Sequence, residues 1–307
     1  MFSRYLTYYS PAIQFVIFCA IMSMSMIVGS FVVELLNQHF LGVASSSLKE
    51  LKEISPQLAF RLKILNPVLL LLILLLPAYL FAYLAYPKPA TYLGLQSRWV
   101  SASFIMAVVL LVVSLPFVAT LEMWSTYIPW LKPSNNDSYE VLSKAMLKGD
   151  KVSDLLLNTL AICLIPALAE ELFFRGCLQQ VLLSWLHKFP YTALLIVAVL
   201  FSAFHGQLSG FMPRVFLGLA LGLVFYFTGN LWISIFMHFL NNFISVFFTF
   251  LKERNLIHFD IADNSTVPLW LGLMSLILSA VLIYFFYQKR VPFVPFAVEK
   301  DEEPLTE

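Results

Sequence analysis

Charged side chains are scarce in this chain. They make up 12% of its 307 residues, about half the share of a soluble domain. Hydrophobic residues reach 60%, against ~45–50% in soluble proteins. A soluble fold of this size cannot bury that much apolar surface and still cover itself with polar groups, so the bilayer must be part of the solvent. The net charge of +1 is too small to draw in a polyanion, and nucleic acid is excluded as a partner. Cysteine is limited to Cys19, Cys163 and Cys177, all in apolar runs without CxxC spacing. They read as small core or lipid-facing residues rather than a disulfide framework. No Gly-rich phosphate loop, GxSxG elbow or HExxH helix occurs. No internal repeat occurs either, which weighs against a transporter built from paired halves.

What is present is a series of apolar runs. The run from Ile13 to Leu36 follows a single Arg, is too long for a signal-peptide core and has no cleavage site after it, so it reads as the first membrane span. A span needs ~20 mostly apolar residues. Eight segments qualify: 12–36, 67–86, 99–121, 153–175, 190–206, 213–228, 231–251 and 268–288. The fold class expected is all-α, a polytopic membrane helix bundle of about eight transmembrane helices. Trp99, Trp124, Trp130, Trp232 and Trp270 lie near the proposed ends, where interfacial aromatics collect. Residues 37–66 read as an amphipathic helix on the membrane surface, and 87–98 as an interfacial link. Residues 122–152 read as a turn-rich loop followed by a short helix, and the acidic C-terminal tail as disordered.

Against this background, polar residues inside spans stand out, because a charge at the bilayer centre costs roughly 2.5–3.5 kcal/mol on insertion scales. The stretch LAEELFFRG places Glu170, Glu171 and Arg175 on one helix. Glu171 and Arg175 are four apart with the acid first, so they stack on one face and neutralise each other. Glu170 is rotated by about 100° from Glu171 and is left needing a partner. Pro166, four residues earlier, tends to kink the helix and open space beside it. Of five histidines, His39, His187 and His258 fall in connections and read as surface residues. His205 and His238 fall inside proposed spans. Asn241 and Asn242 follow His238 at one helical turn, and Phe201 lies one turn before His205, placed to wall a pocket. A carboxylate, two imidazoles and an amide suffice for hydrolysis: Glu takes a proton from water, and His or Asn donates to the oxyanion.

EExxxR (Glu170 to Arg175), FxxxH (Phe201 to His205) and HxxxN (His238 to Asn242) together resemble the CPBP family. That family includes the type II CAAX prenyl endopeptidases and the Abi-type intramembrane proteases. The matched region, about 155–250, sits in a proposed catalytic core of 153–252. Residues 1–152 then supply N-terminal transmembrane helices with a surface segment, and 253–307 a last transmembrane helix and acidic tail. The resemblance implies an intramembrane endopeptidase in which Glu170, helped by His205, activates water. His238 and Asn242 would stabilise the oxyanion, with Glu171, Arg175 and Phe201 in support. The family has also been described as metalloproteases. Glu170, His205 and His238 would then be the zinc ligands, but the usual local metal spacing is absent and a metal-free site is favoured. The partners implied are membrane lipid and a membrane-associated peptide or protein substrate, possibly prenylated. The setting expected is a bacterial cytoplasmic membrane. A non-catalytic scaffold or immunity-type protein of the same fold is the competing reading. Helix rise poses one test: His238 lies roughly 12 Å from the start of its span and His205 about 23 Å from the start of its own, so the fifth helix must begin outside the hydrocarbon or tilt for the two to meet.

Overall fold

The computed structural model describes residues 5–42, 53–96, 101–131, 138–208, 210–258 and 267–291. Among them there is no strand, and seven helices are long and apolar enough to cross a membrane. These are α1 (Pro11–Leu41), α2 (Pro56–Ala85), α3 (Ser101–Ser125), α5 (Val152–Trp185), α7 (Phe211–Thr228), α8 (Leu231–Glu253) and α9 (Leu269–Gln288). The short α4 (Ser138–Leu147) precedes α5, and α6 (Pro190–Phe204) is an apolar helix of only 15 residues.

Local chemistry sets the helix ends. Ser10 and Ser55 cap α1 and α2 by accepting from Ile13 and Leu58 backbone N–H groups, each with Pro in the first turn, where its missing donor costs nothing. A two-residue link, Gly229–Asn230, turns α7 into α8. Gly229 ends α7 at φ 61, a left-handed conformation that suits glycine. Asn230 Oδ1 then caps α8 by accepting from Trp232 N–H.

Three expectations from sequence are corrected. The two ends of the surface segment expected over 37–66 belong instead to spans, since α1 runs on to Leu41 and α2 begins at Pro56, not near 67, while residues 43–52 lie outside the described residues. Two of the segment's cations bond to backbone, the exposed Arg61 donating to the Phe40 carbonyl and the buried Lys63 to the Lys148 carbonyl. The fourth span does not stop near 175 but continues to Trp185. Its polar second half is buried against neighbours: Gln179 Nε2 donates to the Gly222 carbonyl at 3.0 Å, and Gln180 to the Tyr92 carbonyl. The fifth segment ends at Phe204, which leaves His205 just beyond the helix rather than inside it. The short helix expected before residue 152 is present as α4. Trp99 and the acidic tail lie outside the described residues.

Two apolar cores organise the bundle. One joins Phe18 of α1, Phe81 of α2, Phe173 of α5 and Val197 of α6. The other joins Leu110 of α3, Val224 of α7, Met237 of α8 and Phe286 of α9. Glycine brings the two close: a Cβ on Gly218 of α7 would meet the Phe201 ring at 3.1 Å and Ala198 Cα at 3.4 Å on α6. The polar residues singled out from sequence lie at the seam between these cores.

Candidate active site

The acidic pair is carried by the middle of α5, where the helix is not regular. Residues Thr159–Leu164 and Phe174–Gln179 are π-helical and flank the α-helical stretch Ile165–Phe173. A π turn shifts the angular position of everything after it and is frequent at functional sites. Pro166 has no N–H for the carbonyl four residues back, Ile162. Asn242 Nδ2 of α8 donates to that carbonyl at 3.3 Å, so the proline creates the acceptor that docks α8 against α5.

Glu171 and Arg175 form the ion pair that their spacing suggested, with Arg175 Nη1 donating to Glu171 Oε1 at 2.7 Å and both side chains fully buried. The guanidinium is tied further. Its Nη2 donates to the Gly218 carbonyl at 2.9 Å, and its central carbon stands 4.4 Å from the Phe201 ring centroid. The same Glu171 oxygen lies 2.9 Å from His238 Nδ1, a bond across 67 positions of sequence that periodicity on one helix could not reveal. A carboxylate only accepts, so Nδ1 of His238 carries the proton and donates, and Nε2 points away from Glu171.

Glu170 faces the other way. Its Oε2 is buried and makes no hydrogen bond among the described residues. His205 Nε2 and His238 Nε2 each stand 3.9 Å from it. His205 Nδ1 lies 2.9 Å from the Phe201 carbonyl, which again fixes the proton on Nδ1 and turns Nε2 towards the carboxylate. Three acceptor-capable atoms thus converge with no donor between them when both rings are neutral. Separations of 3.9 Å are too long for direct hydrogen bonds and suited to a bridging water. Phe201 is the common wall: its ring centroid is 5.0 Å from that of His205, 5.8 Å from that of His238 and 5.2 Å from that of Phe174.

A cavity of about 90 Å³ opens beside the two imidazoles, lined by Phe201, His205, His238, Asn241, Asn242 and also Arg214. Asn242 therefore reaches the cavity while one amide N–H serves Ile162, and its Oδ1 accepts from Asn241 Nδ2 at 3.2 Å. Arg214 was missed by the sequence reading, although a guanidinium near the start of a proposed span (213–228) was the visible sign. His187 and His258 are exposed in connections, as expected, whereas His39 is exposed but lies within the last turn of α1 rather than in a connection. Cys163 and Cys177 are buried and Cys19 is exposed, all three as free thiols.

Two imidazoles and a carboxylate are zinc-ligand types. Ligands at about 2.0–2.2 Å in a tetrahedron stand roughly 3.3–3.5 Å apart, closer than the 3.9 Å from Glu170 to each ring nitrogen. Among the described residues no group of three or more His, Cys, Asp or Glu side chains is placed to hold a metal ion. As positioned, the donors do not fit zinc.

Residues 152–244, which hold the carboxylates, both histidines and Asn242, match the family described as "Type II CAAX prenyl endopeptidase Rce1-like". The match is to a type II CAAX prenyl endopeptidase model and covers under a third of the chain. No curated protein and no solved structure matches it. The family match supports an intramembrane CAAX-type protease at family level, and the seven helices of membrane-crossing length and apolarity among the described residues support a multi-pass membrane protein.

Proposed function

We propose that the chain is an endopeptidase that hydrolyses a peptide bond of a membrane-associated substrate of the prenylated CaaX type, with Glu170 as the residue that activates water. The observation that carries this reading is the Glu170 Oε2 atom: buried, without a hydrogen-bond partner among the described residues, and equidistant from two imidazole nitrogens, one just past the end of α6 and one on α8. Buried polar atoms are rarely left unsatisfied without a task.

In this reading a water sits between Glu170 Oε2 and His205 Nε2. Glu170 takes its proton as the oxygen attacks the scissile carbonyl carbon. His205, its Nδ1 proton held by the Phe201 carbonyl, accepts the other water hydrogen and aims the lone pair. The oxyanion forms beside His238, which in its doubly protonated form keeps Nδ1–H on Glu171 and offers Nε2–H to the oxygen. The second amide hydrogen of Asn242 is a further donor at the same wall. The carbon–nitrogen bond then breaks, and Glu170 returns its proton to the leaving amine. No metal enters this sequence. Glu171 and Arg175 work through His238: a neutralised, fully buried pair holds the ring at a fixed angle.

The experiment is cleavage by the purified protein, with and without chelator, of a farnesylated CaaX peptide and of an unmodified transmembrane peptide. Cleavage of the first that survives chelation and is lost in Glu170→Gln is expected. If neither peptide is cut, or Glu170→Gln keeps full biological activity, the non-catalytic reading replaces this one.

A further inference from the structure

We propose that Arg214 binds the free C-terminal carboxylate of the peptide that Glu170 attacks, so that the cavity selects chains cut a few residues from their end. The inference rests on the peptidase reading above and adds to it the residue that reads the substrate's terminus.

Arg214 stands in the first turn of α7 and lines the same cavity as His205, His238, Asn241 and Asn242. Among the described lining residues it alone carries a permanent positive charge. Its placement is defined. Nη1 donates to Gln207 Oε1 at 3.4 Å and Nη2 to the Gln207 carbonyl, tying the guanidinium to the turn that follows His205. Glu122 and Glu170 both lie within its electrostatic reach. A cation in a helix of membrane-crossing length and apolarity is costly and marks a functional position by default.

The chemistry narrows the ligand. A guanidinium is a planar fork with five N–H donors, matched to the two oxygens of a carboxylate. Holding that fork in place beforehand lowers the entropy lost on binding. Arg214 lines one small cavity with His205 and His238, whose Nε2 atoms stand 3.9 Å from Glu170 Oε2, and an extended peptide covers ~3.3–3.6 Å per residue. A terminal carboxylate on Arg214 therefore leaves only a few residues between the chain end and the bond facing Glu170. A CaaX signal, with its prenylated cysteine fourth from the end, has that form. An amidated end, or an internal loop, brings no anion to the guanidinium.

The test pairs a farnesylated CaaX peptide bearing a free C-terminal carboxylate with the same peptide as its C-terminal amide. The readouts are kcat/KM with the wild-type, Arg214→Gln and Arg214→Lys proteins in lipid nanodiscs, and the affinity of both peptides for Glu170→Gln. The wild type should favour the acid by about ten- to a hundred-fold, the range of a lost charge-assisted contact. The ratio should fall towards one in Arg214→Gln and to an intermediate value in Arg214→Lys, which keeps the charge but not the fork. A merely structural Arg214 would lower both rates together and leave the ratio intact, and that outcome overturns the proposal. So does a wild-type ratio near one. Should neither peptide be cut while Glu170→Gln still binds the acid more tightly, the hydrolase reading falls and the carboxylate site stands. Equal affinities without cleavage would remove both.

Discussion

Glu171 holds His238 through Nδ1 at 2.9 Å while the same oxygen receives Arg175 at 2.7 Å. One buried carboxylate thereby fixes a ring on α8 and a guanidinium on its own helix, and the ring's free nitrogen is left facing Glu170. Breaking a buried pair by removing one partner strands the other charge, a loss of about 3–5 kcal/mol. Arg175→Ala is expected to lose stability of that order, read as a marked fall in unfolding temperature in nanodiscs. Arg175→Lys should recover only part, because one ammonium cannot serve both Glu171 and the Gly218 carbonyl, 2.9 Å from Nη2. An unchanged melting temperature for Arg175→Ala would remove the pair from the structural account.

Glu170 should behave in the opposite way. Its Oε2 makes no hydrogen bond among the described residues, so removing its charge strands no hydrogen-bond donor on that oxygen. Glu170→Gln is expected to be folded and at least as stable as the wild type, with turnover lowered by about 10²–10⁴-fold, the range for a general acid–base group. Measuring both stability and rate in both variants tests the proposed contrast between adjacent glutamates, one holding the structure and one acting on water.

That division was partly legible in the sequence. The four-residue spacing of Glu171 and Arg175 and the rotation of Glu170 follow from helix geometry alone, and they separated a paired acid from an orphan one. The order of the three motifs indicated which helices would meet. What could not be read was anything that depends on contact between helices: the bond from Glu171 to His238, the docking of Asn242 on the carbonyl that Pro166 leaves over, and Arg214 within the cavity. The π-helical turns escaped as well, since an apolar run has the same composition whether it closes on the fourth or the fifth residue. The boundary of α6 was misplaced because the apolar character of 190–206 continues past the last helical hydrogen bond, so His205 was assigned to a span that ends at Phe204. The early start of α2 was hidden by its polar residues, which look solvent-facing until Lys63 is seen donating to Lys148.

Metal dependence separates two chemistries that share the same three side chains. Donors 3.9 Å apart accommodate a water more readily than the shorter edges of a zinc tetrahedron. Exhaustive chelation followed by assay in metal-free buffer is expected to leave cleavage within about twofold, and elemental analysis should find no stoichiometric zinc in active protein. Activity that disappears on chelation and returns with zinc would require the site to contract around the ion and would reassign Glu170, His205 and His238 as ligands.

The seam between α6 and α7 gives a test that distinguishes site geometry from bulk stability. At Gly218 an added Cβ would stand 3.1 Å from the Phe201 ring and 3.4 Å from the Ala198 backbone, and the Gly218 carbonyl also anchors Arg175. Gly218→Val therefore has to push α7 away from α6, which moves Phe201 and the Arg175 anchor together. Overpacking of this kind costs about 1–3 kcal/mol, and the displaced wall should lower turnover by more than the loss of folded protein explains. Gly229 is the control. An added Cβ there would meet nothing within 4 Å, while its φ of 61 is left-handed, so Gly229→Ala should cost about 1–2 kcal/mol without changing kcat of the folded fraction. Measuring the folded fraction by thermal denaturation and the rate per folded molecule separates the cases: equal rates per folded molecule in both variants would show that the α6–α7 spacing does not set the position of the catalytic wall.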